Sequence, residues 1–338
     1  MLVKEMTNKL FLSTINGIKS KQIPIWMMRQ AGRYLAEYRA IRAGQENFIS
    51  FCLNSDQATT VTIQPITRFG FDAAIIFSDI LMIPWAMNRN VRFKTGIGPL
   101  LDAMEKPDDI NVSCLDGFSQ KLAPVGQAVT LTRAALPPET TLIGFAGAPW
   151  TLITYMAEGG TTRDFSKARQ WAWQNRQALD GLMDILIDAT ISFLSLQAQS
   201  GAQTLMLFDS WASAVPAAQR DWLVTKPARA IVEGVRKNGH NQPIIGFPKG
   251  IGEKYEDFNE IVKPDGINLD YEIDPLWAKN KLRGVVMQGG LDPKTLLKSE
   301  KEMLLGATKY LQTFKDIPYV FNLGHGLLPE TDPDRVNK

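Results

Sequence analysis

The sequence is poor in the residues that build disulfide frameworks and metal centres. Among its 338 residues are two cysteines, Cys52 and Cys114, and two histidines, His240 and His325. Two thiols in a chain of this length argue against a disulfide framework and fit a reducing compartment. The four side chains are far apart in sequence and show none of the spacings of a zinc site. We therefore expect no bound metal in this protein.

A charge excess of one sign and long apolar runs are absent as well. The chain has 37 Lys and Arg against 35 Asp and Glu, which gives a net charge of +2. A protein that coats a nucleic acid needs a broad basic excess, so nucleic acid is not expected as a partner. No run approaches the roughly 20 apolar residues of a membrane span, and the N-terminus has no signal-peptide pattern. We expect a cytoplasmic protein in which any anion-binding cations are concentrated locally.

What the sequence does contain is a repeat of short apolar runs, separated by segments of helical periodicity. The runs are continuously apolar rather than alternating, as in strands covered on both faces. They comprise residues 23–28, 73–79, 141–147, 204–210, 243–248, 266–270, 285–290 and 319–324. Eight strand–helix repeats predict an α/β fold, a single (β/α)8 barrel of the TIM type over residues 1–338. A doubly wound open sheet is the main alternative that the pattern leaves open.

Two stretches depart from the strand–helix repeat. Residues 85–111 show no helical period and contain Gly96, Gly98 and Pro99. We interpret them as a hairpin-like excursion after the second strand. The chain stops at Lys338, shortly after Pro333, where a closing helix should begin. We expect that closing helix to be cut short, which would leave part of the barrel wall uncovered.

Charged side chains follow the carboxyl ends of the first two predicted strands. The first run ends in Arg29 and continues through Gln30 to Arg33, and the second run ends in Asp79. Since all strands of a barrel open on one face at their carboxyl ends, these side chains should meet there. Arginines are bidentate donors to carboxylates, and a lone carboxylate accepts N–H groups or stabilises positive charge. The combination predicts an anionic ligand that also carries N–H donors or develops positive charge.

Three later residues are further candidates for ligand binding. Tyr155 and Ser210 carry hydroxyls suited to bind carboxylates, and no Gly-x-Ser-x-Gly elbow surrounds Ser210, which argues against a hydrolase nucleophile. His325 lies between two glycines, which allow the backbone to approach a ligand closely. Its imidazole could bind a carboxylate or relay a proton near neutral pH. Either hydroxyl could equally belong to a turn or to the packed core.

The charged candidates also have plain structural interpretations. Asp79 could be the N-cap of a helix that begins just after it. One of the two arginines could form a structural ion pair with Glu37 or with Asp79. We expect Gln30 to orient its neighbours rather than to react.

Six motifs of the chain resemble those of the uroporphyrinogen decarboxylase family. Residues 28–39 read MRQAGRYLAEYR and resemble its first signature, and residues 144–159 read GFAGAPWTLITYMAEG and resemble its second. The shorter matches are FSDIL at 77–81, FDSWA at 208–212, GLDP at 290–293 and NLGHG at 322–326. They follow the family's order and extend over almost the whole chain. The departures, at Ala36, Ser213 and Gly290, remove no charged candidate.

The resemblance implies a (β/α)8 barrel that forms a homodimer and binds a tetrapyrrole. It implies stepwise loss of CO2 from the four acetate side chains of uroporphyrinogen, giving coproporphyrinogen, without a metal or an organic cofactor. With that substrate, Asp79 would stabilise a protonated pyrrole, and Arg29 and Arg33 would pair with acetate and propionate carboxylates. Arg29 either only binds or also helps to deliver a proton, so Asp79 and Arg29 are the catalytic candidates. The substrate-binding candidates are Arg29, Gln30, Arg33, Asp79, Tyr155, Ser210 and His325.

Two other functions are compatible with a barrel of this kind. A corrinoid-linked methyltransferase of the same superfamily would use a zinc–thiolate site, for which the two unclustered cysteines supply no ligand set. A catalytically silent tetrapyrrole-binding protein would not need the charged candidates that this chain retains. We therefore expect the decarboxylase.

Overall fold

Seven parallel strands form the central sheet, and each is hydrogen-bonded to the next one along the chain. The computed structural model describes residues 9–94 and 96–338. In this part the strands are β1 Ala73–Ile75, β2 Arg92–Lys94, β3 Gly98–Leu100, β4 Thr141–Gly147, β5 Thr204–Asp209, β6 Ile244–Pro248, β7 Gly266–Leu269, β8 Val286–Gly289 and β9 Tyr319–Val320. Every residue of the seven central strands, which are all but β2 and β3, is buried. Burial on both faces is what their continuous apolar character predicts.

The first predicted strand closes the sheet into a barrel, although it makes only one ladder bridge, from Ile25 to Phe321. On the β9 side, the Phe321 N–H donates to Pro24 O at 2.8 Å, and the Trp26 N–H donates to Phe321 O at 3.3 Å. On the β1 side, the Asp72 N–H donates to Ile25 O at 2.9 Å, and the Ile25 N–H donates to the Asp72 carboxylate at 2.8 Å. Residues 23–28 therefore occupy the eighth strand position. The predicted (β/α)8 barrel is confirmed, and the doubly wound alternative is wrong.

Buried side chains replace the ladder hydrogen bonds that this segment lacks. The Asn322 Oδ1 accepts the Met28 N–H at 2.9 Å. The Gln30 amide donates to Ala73 O at 3.3 Å, and its oxygen accepts the Met27 N–H at 3.4 Å. Asn322 and Gln30 are both fully buried, so no water can take over these contacts. Closure depends on side chains here because Pro24 has no N–H to donate.

The helices surround the barrel and bury their apolar faces against it. They are α1 Leu10–Ile15, α2 Ala36–Ala43, α3 Phe48–Leu53, α4 Ser55–Phe69, α5 Met82–Ala86, α6 Phe118–Ala135, α7 Pro149–Glu158, α8 Ser166–Gln174, α9 Arg176–Gln199, α10 Lys226–Lys237, α11 Tyr255–Val262, α12 Pro275–Lys281, α13 Glu300–Phe314 and α14 Pro333–Val336. The longest, α9, buries Leu179, Leu182, Met183 and Leu186, the spacing of one helical face. Within the described part of the chain, no helix is long and apolar enough to cross a membrane.

Strands β2 and β3 pair antiparallel as a separate two-stranded ribbon after α5. The chain then runs along α7, where the Leu101 N–H donates to Gly159 O and the Met104 N–H donates to Met156 O, both at 2.9 Å. Residues 1–8 and 95 lie outside the described residues. One domain over residues 1–338 and a shortened closing helix after Pro333 both stay predictions.

Replacing Asn322 by alanine should weaken the closure of the barrel. The variant leaves the buried N–H of Met28 without its acceptor, at a cost of about 1–3 kcal/mol in the free energy of unfolding. This loss should appear as a lower urea concentration at the unfolding midpoint, measured by circular dichroism. Asn280→Ala is the control, because Asn280 is an exposed asparagine. Equal midpoints for the two variants would contradict the proposed role of Asn322 in closure.

Candidate active site

The carboxyl ends of the strands open on one face of the barrel. We call this face the mouth. It is formed by the segments that follow the strands, residues 29–33, 78–81, 148–151, 210–213, 249–252, 270–273, 290–293 and 323–327. Each of the predicted site residues lies in one of these segments, except Tyr155, which lies on α7 directly after one of them.

Arg29 turns away from the core because its backbone is left-handed, with φ of 61°. Its neighbours Met28 and Gln30 are buried, whereas Arg29 is exposed. A left-handed backbone costs a non-glycine residue roughly 1–2 kcal/mol. Strain of this size is typical of functional sites, where the surrounding structure enforces it. Here the enforcing contacts are the closure hydrogen bonds of Met28 and Gln30.

The glycine after His325 makes room for the Arg29 side chain. A Cβ built at Gly326 would overlap Arg29 Cδ and would lie 2.5 Å from Arg29 Cγ. The next residue is tied to the same turn, since the Leu327 N–H donates to Met28 O at 2.8 Å. The last loop of the barrel therefore shapes the position of an arginine from its first loop.

The positive charges of Arg29 and Arg33 are not neutralised within the described residues. Glu37, one of the partners considered, pairs instead with Arg68 at 3.1 Å. No ion pair joins Arg29 to Asp79, although the Arg29 charge lowers the pKa of that carboxyl. The two guanidinium groups are therefore available to an anionic ligand.

Asp79 uses one carboxylate oxygen in a turn contact and leaves the other available to a ligand. Its Oδ1 accepts the Leu81 N–H at 2.8 Å, and its backbone oxygen accepts the Met82 N–H at 3.2 Å. The N-cap of α5 is Leu81, without a side-chain cap, so the capping interpretation of Asp79 is wrong. The turn contact occupies one carboxylate oxygen, and no described residue donates to the other. Burial raises the pKa of Asp79 to about 6, while the Leu81 N–H and Arg29 act in the opposite direction. At neutral pH the group is mostly ionised and poorly hydrated, which strengthens its interactions with N–H donors.

His325 is uncharged at neutral pH. Burial, together with the charges of Arg29 and Lys249, lowers its pKa to about 3. Its Nδ1 is buried and has no hydrogen-bond partner. A proton relay near neutral pH, one of the two roles considered for His325, does not fit a pKa this low. Carboxylate binding by a neutral imidazole N–H stays a prediction.

Tyr155 points into the same region as Arg29 and Asp79. Burial raises its pKa, contacts with Trp211 and Thr161 lower it, and the Asp79 and Arg29 charges act on it with opposite signs. The hydroxyl is therefore protonated at neutral pH and can donate a hydrogen bond. The Trp211 ring meets the Tyr155 ring edge to face, with centroids 6.3 Å apart.

Gln30 and Ser210 differ in what they offer to a ligand. Gln30 is fully buried and both ends of its amide are bonded to backbone, so we assign it a positioning role. Ser210 is half-buried in the turn after β5, and no described group bonds its hydroxyl. Its role in binding stays a prediction.

Sequence reasoning did not select three polar residues that lie at the same strand ends. Asp209 is 4% exposed, and the Thr151 hydroxyl donates to its Oδ1 at 2.6 Å. Burial raises the pKa of Asp209 to about 7, and the hydrogen bonds from Thr151 oppose the rise. Lys249 follows β6, is half-buried, and has no counter-ion among the described residues. Their position at or shortly after the strand ends could have indicated these residues as site candidates. Their residue types alone could not, because they are common on any surface.

The base of the mouth is apolar. Phe145 and Phe208 meet edge to face with centroids 5.5 Å apart, and Phe208 and Phe247 do so at 6.0 Å. A groove of about 620 Å³ lies on the outer wall, where Ile191 and Lys237 are among its lining residues. None of the candidates lines it, and the site is located by strand ends and charge. Among the described residues, no group of three or more His, Cys, Asp or Glu could hold a metal ion.

A family profile and the sequences of similar proteins identify the same family for this chain. The profile of the family described as uroporphyrinogen decarboxylase matches residues 6–338. A uroporphyrinogen decarboxylase of Caulobacter vibrioides is 44% identical over 321 residues, which are 95% of this chain and 91% of that protein. One from Maricaulis maris is 42% identical over 337 residues, 99% of this chain and 97% of that protein.

A solved structure shares the fold at much lower identity. It is a methyltransferase from Methanosarcina mazei, which superposes with a TM-score of 0.79. It is 14% identical, and the match covers 98% of this chain and 96% of that one. Similarity at this level of identity shows the barrel alone.

Replacing Arg29 by glutamine should raise the pKa of His325, because the variant removes a nearby positive charge that disfavours the imidazolium. With two histidines in the chain, NMR of protein labelled at histidine can follow both rings from pH 8 down to about pH 3. His240 is the internal reference. Arg33→Gln is the matched control, since Arg33 does not contribute to the His325 shift. If His325 titrates near its ordinary pKa in the unmodified protein, the burial and the nearby charges described for this residue are contradicted.

Proposed function

Since the chain belongs to the uroporphyrinogen decarboxylase family, we propose that its barrel mouth removes CO2 from the four acetate side chains of uroporphyrinogen. Each acetate becomes a methyl group, and the product is coproporphyrinogen. The chain is thus a carboxy-lyase of tetrapyrrole biosynthesis. The observation that carries the assignment of roles is the partly desolvated Asp79 carboxylate close to the Arg29 guanidinium, which has no counter-ion among the described residues.

Loss of CO2 from an acetate requires an acceptor for the electron pair of the broken C–C bond. A pyrrole protonated at a ring carbon can accept it, because the ring then carries positive charge. The pair forms an exocyclic methylene, a proton converts the methylene to methyl, and loss of the ring proton restores the pyrrole. The enzyme gains rate by stabilising the cationic intermediate more than the neutral substrate.

Asp79 supplies that stabilisation. One of its oxygens is held by the Leu81 N–H at 2.8 Å, which fixes the direction of the carboxylate. The other oxygen can accept pyrrole N–H groups, and its negative charge lies close to the developing cation. In a partly desolvated site each charge-assisted hydrogen bond contributes roughly 1.5–3 kcal/mol.

Arg29 and Arg33 bind the carboxylate rim of the substrate. Uroporphyrinogen carries eight carboxylates, and the two guanidinium groups are exposed without a counter-ion in the described chain. Arg29 is the one whose charge reaches Asp79, so we assign it the reacting acetate. Arginine is a poor proton donor, because it stays protonated in proteins. A proton is more easily delivered by water or by a carboxylic acid that Arg29 holds in place.

The remaining candidates supply neutral hydrogen bonds. The Tyr155 and Ser210 hydroxyls and the His325 imidazole can each donate to a substrate carboxylate without adding charge. Phe145 and Phe208 provide an apolar surface beneath the macrocycle. Gln30 acts indirectly, because it holds the turn that presents Arg29.

We also propose that the protein is a homodimer in the cytoplasm, as the family resemblance implies. Sedimentation equilibrium at several protein concentrations tests the dimer directly. A monomer at all concentrations would contradict it without affecting the assignment of the reaction.

The assay that tests the reaction is release of CO2 from uroporphyrinogen, without added metal, together with chromatography of the remaining carboxylated intermediates. A methyltransferase would release none and would require a methyl donor. A silent binding protein would bind the tetrapyrrole and leave all eight carboxylates in place. Stepwise appearance of products with seven, six, five and four carboxylates supports the proposal.

Asp79→Asn should keep the fold and lose most of the turnover. A neutral amide retains the size of the side chain but cannot offset a developing cation, so we expect kcat to fall by roughly 100-fold or more. Asp332→Asn is the matched control, because Asp332 also accepts an N–H two residues later, at 2.9 Å, and lies outside the mouth. Near-normal turnover by Asp79→Asn would refute the role assigned to Asp79.

The pH dependence of kcat/KM should show an acid limb near pH 6. Burial raises the Asp79 pKa to about 6, so the carboxylate is ionised and active above this pH and protonated below it. Activity should therefore fall as the pH drops through this value. The limb should move upwards in Arg29→Gln, because the cation that favours the ionised carboxylate is then missing. A profile that stays flat down to pH 5 would argue against Asp79 as the titrating group.

A further inference from the structure

A buried polar pair at the mouth has no part in the mechanism described above. Asp209, at the end of β5, is 4% exposed, and Thr151, on the first turn of α7, is fully buried. The Thr151 hydroxyl donates to Asp209 Oδ1 at 2.6 Å. A carboxylate next to an anion-binding site repels the substrate and is costly to bury. Its presence there calls for a function that offsets this cost.

The same hydroxyl also holds the backbone of the turn after β5. The Trp211 N–H donates to Thr151 Oγ1 at 3.1 Å. The Trp150 indole N–H donates to Trp211 O, also at 3.1 Å. Both backbone polar groups of Trp211 are thus held by the start of α7. A hydroxyl can accept from Trp211 and donate to Asp209 at once, which an apolar side chain of the same shape cannot do.

Two residues of this turn bear on the mouth. One is Ser210, which we have proposed as a substrate-binding residue. The other is Trp211, whose ring centroid lies 4.6 Å from that of Phe165 and 6.3 Å from that of Tyr155. The Trp211 Nε1 is buried and makes no hydrogen bond of ordinary geometry, although its contact with the Tyr155 hydroxyl lowers the pKa of that group. A buried indole N–H that is not fully satisfied is uncommon, and a ligand carboxylate would satisfy it.

We propose that Asp209 and Thr151 are positioning residues for the decarboxylation, which hold the Ser210–Trp211 turn so that both side chains donate to a substrate carboxylate. Asp209 fixes the direction of the Thr151 hydroxyl, and the hydroxyl fixes the Trp211 backbone. The branched Cβ of threonine restricts its rotation, which suits this role. The inference rests on the proposed function, since it assigns a carboxylate-rich substrate to the mouth.

The test compares three threonine variants in the CO2-release assay. Thr151→Val keeps the shape and removes the hydroxyl, so kcat/KM should fall by roughly tenfold or more, with KM rising. Thr151→Ser restores the hydroxyl and should recover most of the loss. Thr154→Val is the matched control, because Thr154 is also buried on α7 but donates only to Thr151 O of its own helix, at 2.7 Å. It should behave as the unmodified enzyme does.

A double-mutant cycle distinguishes positioning from general destabilisation. If Thr151 acts through the turn, Thr151→Val should cost much less in a Ser210→Ala, Trp211→Phe background than in the unmodified protein. Strictly additive losses, or equal rates for Thr151→Val and Thr154→Val, would overturn the inference. Should Thr151→Val fail to fold, Asp209→Ala decides, because it removes the acceptor that fixes the direction of the Thr151 hydroxyl. Its kcat/KM should fall by roughly tenfold, with KM rising, and a near-normal kcat/KM with the fold intact would overturn the inference. An unmodified enzyme that releases no CO2 would instead refute the proposed function.

Discussion

Every feature of the mouth depends on how residues 23–28 are held between β9 and β1. The segment makes one ladder bridge, and the rest of its attachment comes from the Asp72 carboxylate, the Asn322 amide and the Gln30 amide. These bonds also enforce the left-handed backbone of Arg29. The same hydrogen bonds therefore close the barrel and present the catalytic arginine. A variant that loosens closure should affect chemistry before it affects secondary structure.

Positive and negative groups lie at different depths of the mouth, and this arrangement suits the proposed substrate. Arginine and lysine side chains without counter-ions form a cationic rim, while carboxyl groups that titrate near neutrality lie deeper. The imidazole between them is kept neutral mainly by burial, and the same rim charges add to the effect. An anionic macrocycle would complete the missing pairs at the rim and bring its N–H groups over Asp79. Recognition and catalysis then use opposite charges in neighbouring places.

Much of this arrangement is predictable from sequence, and the exceptions have physical reasons. The strands are predictable because burial on both faces demands uninterrupted apolar residues, and the barrel rule then brings Arg29 and Asp79 together. Most of the observed strands end earlier than the predicted runs, β1 and β9 by four residues, because the backbone bends into the mouth there. The importance of Asp209 was not predictable, since it depends on a partner 58 residues away in sequence. The low pKa of His325 likewise depends on charges that only the fold assembles.

The contact between Gly326 and Arg29 joins the first loop of the barrel to the last. A ribosome makes Arg29 long before Gly326, yet the space that accommodates the Arg29 side chain is lined by that glycine. The anion-binding turn can therefore reach its working shape only after the last loop of the barrel has been translated. A nascent chain that stops before residue 326 would present Arg29 without the loop that positions it. Competence to capture substrate thus arises only once the first and last loops have met.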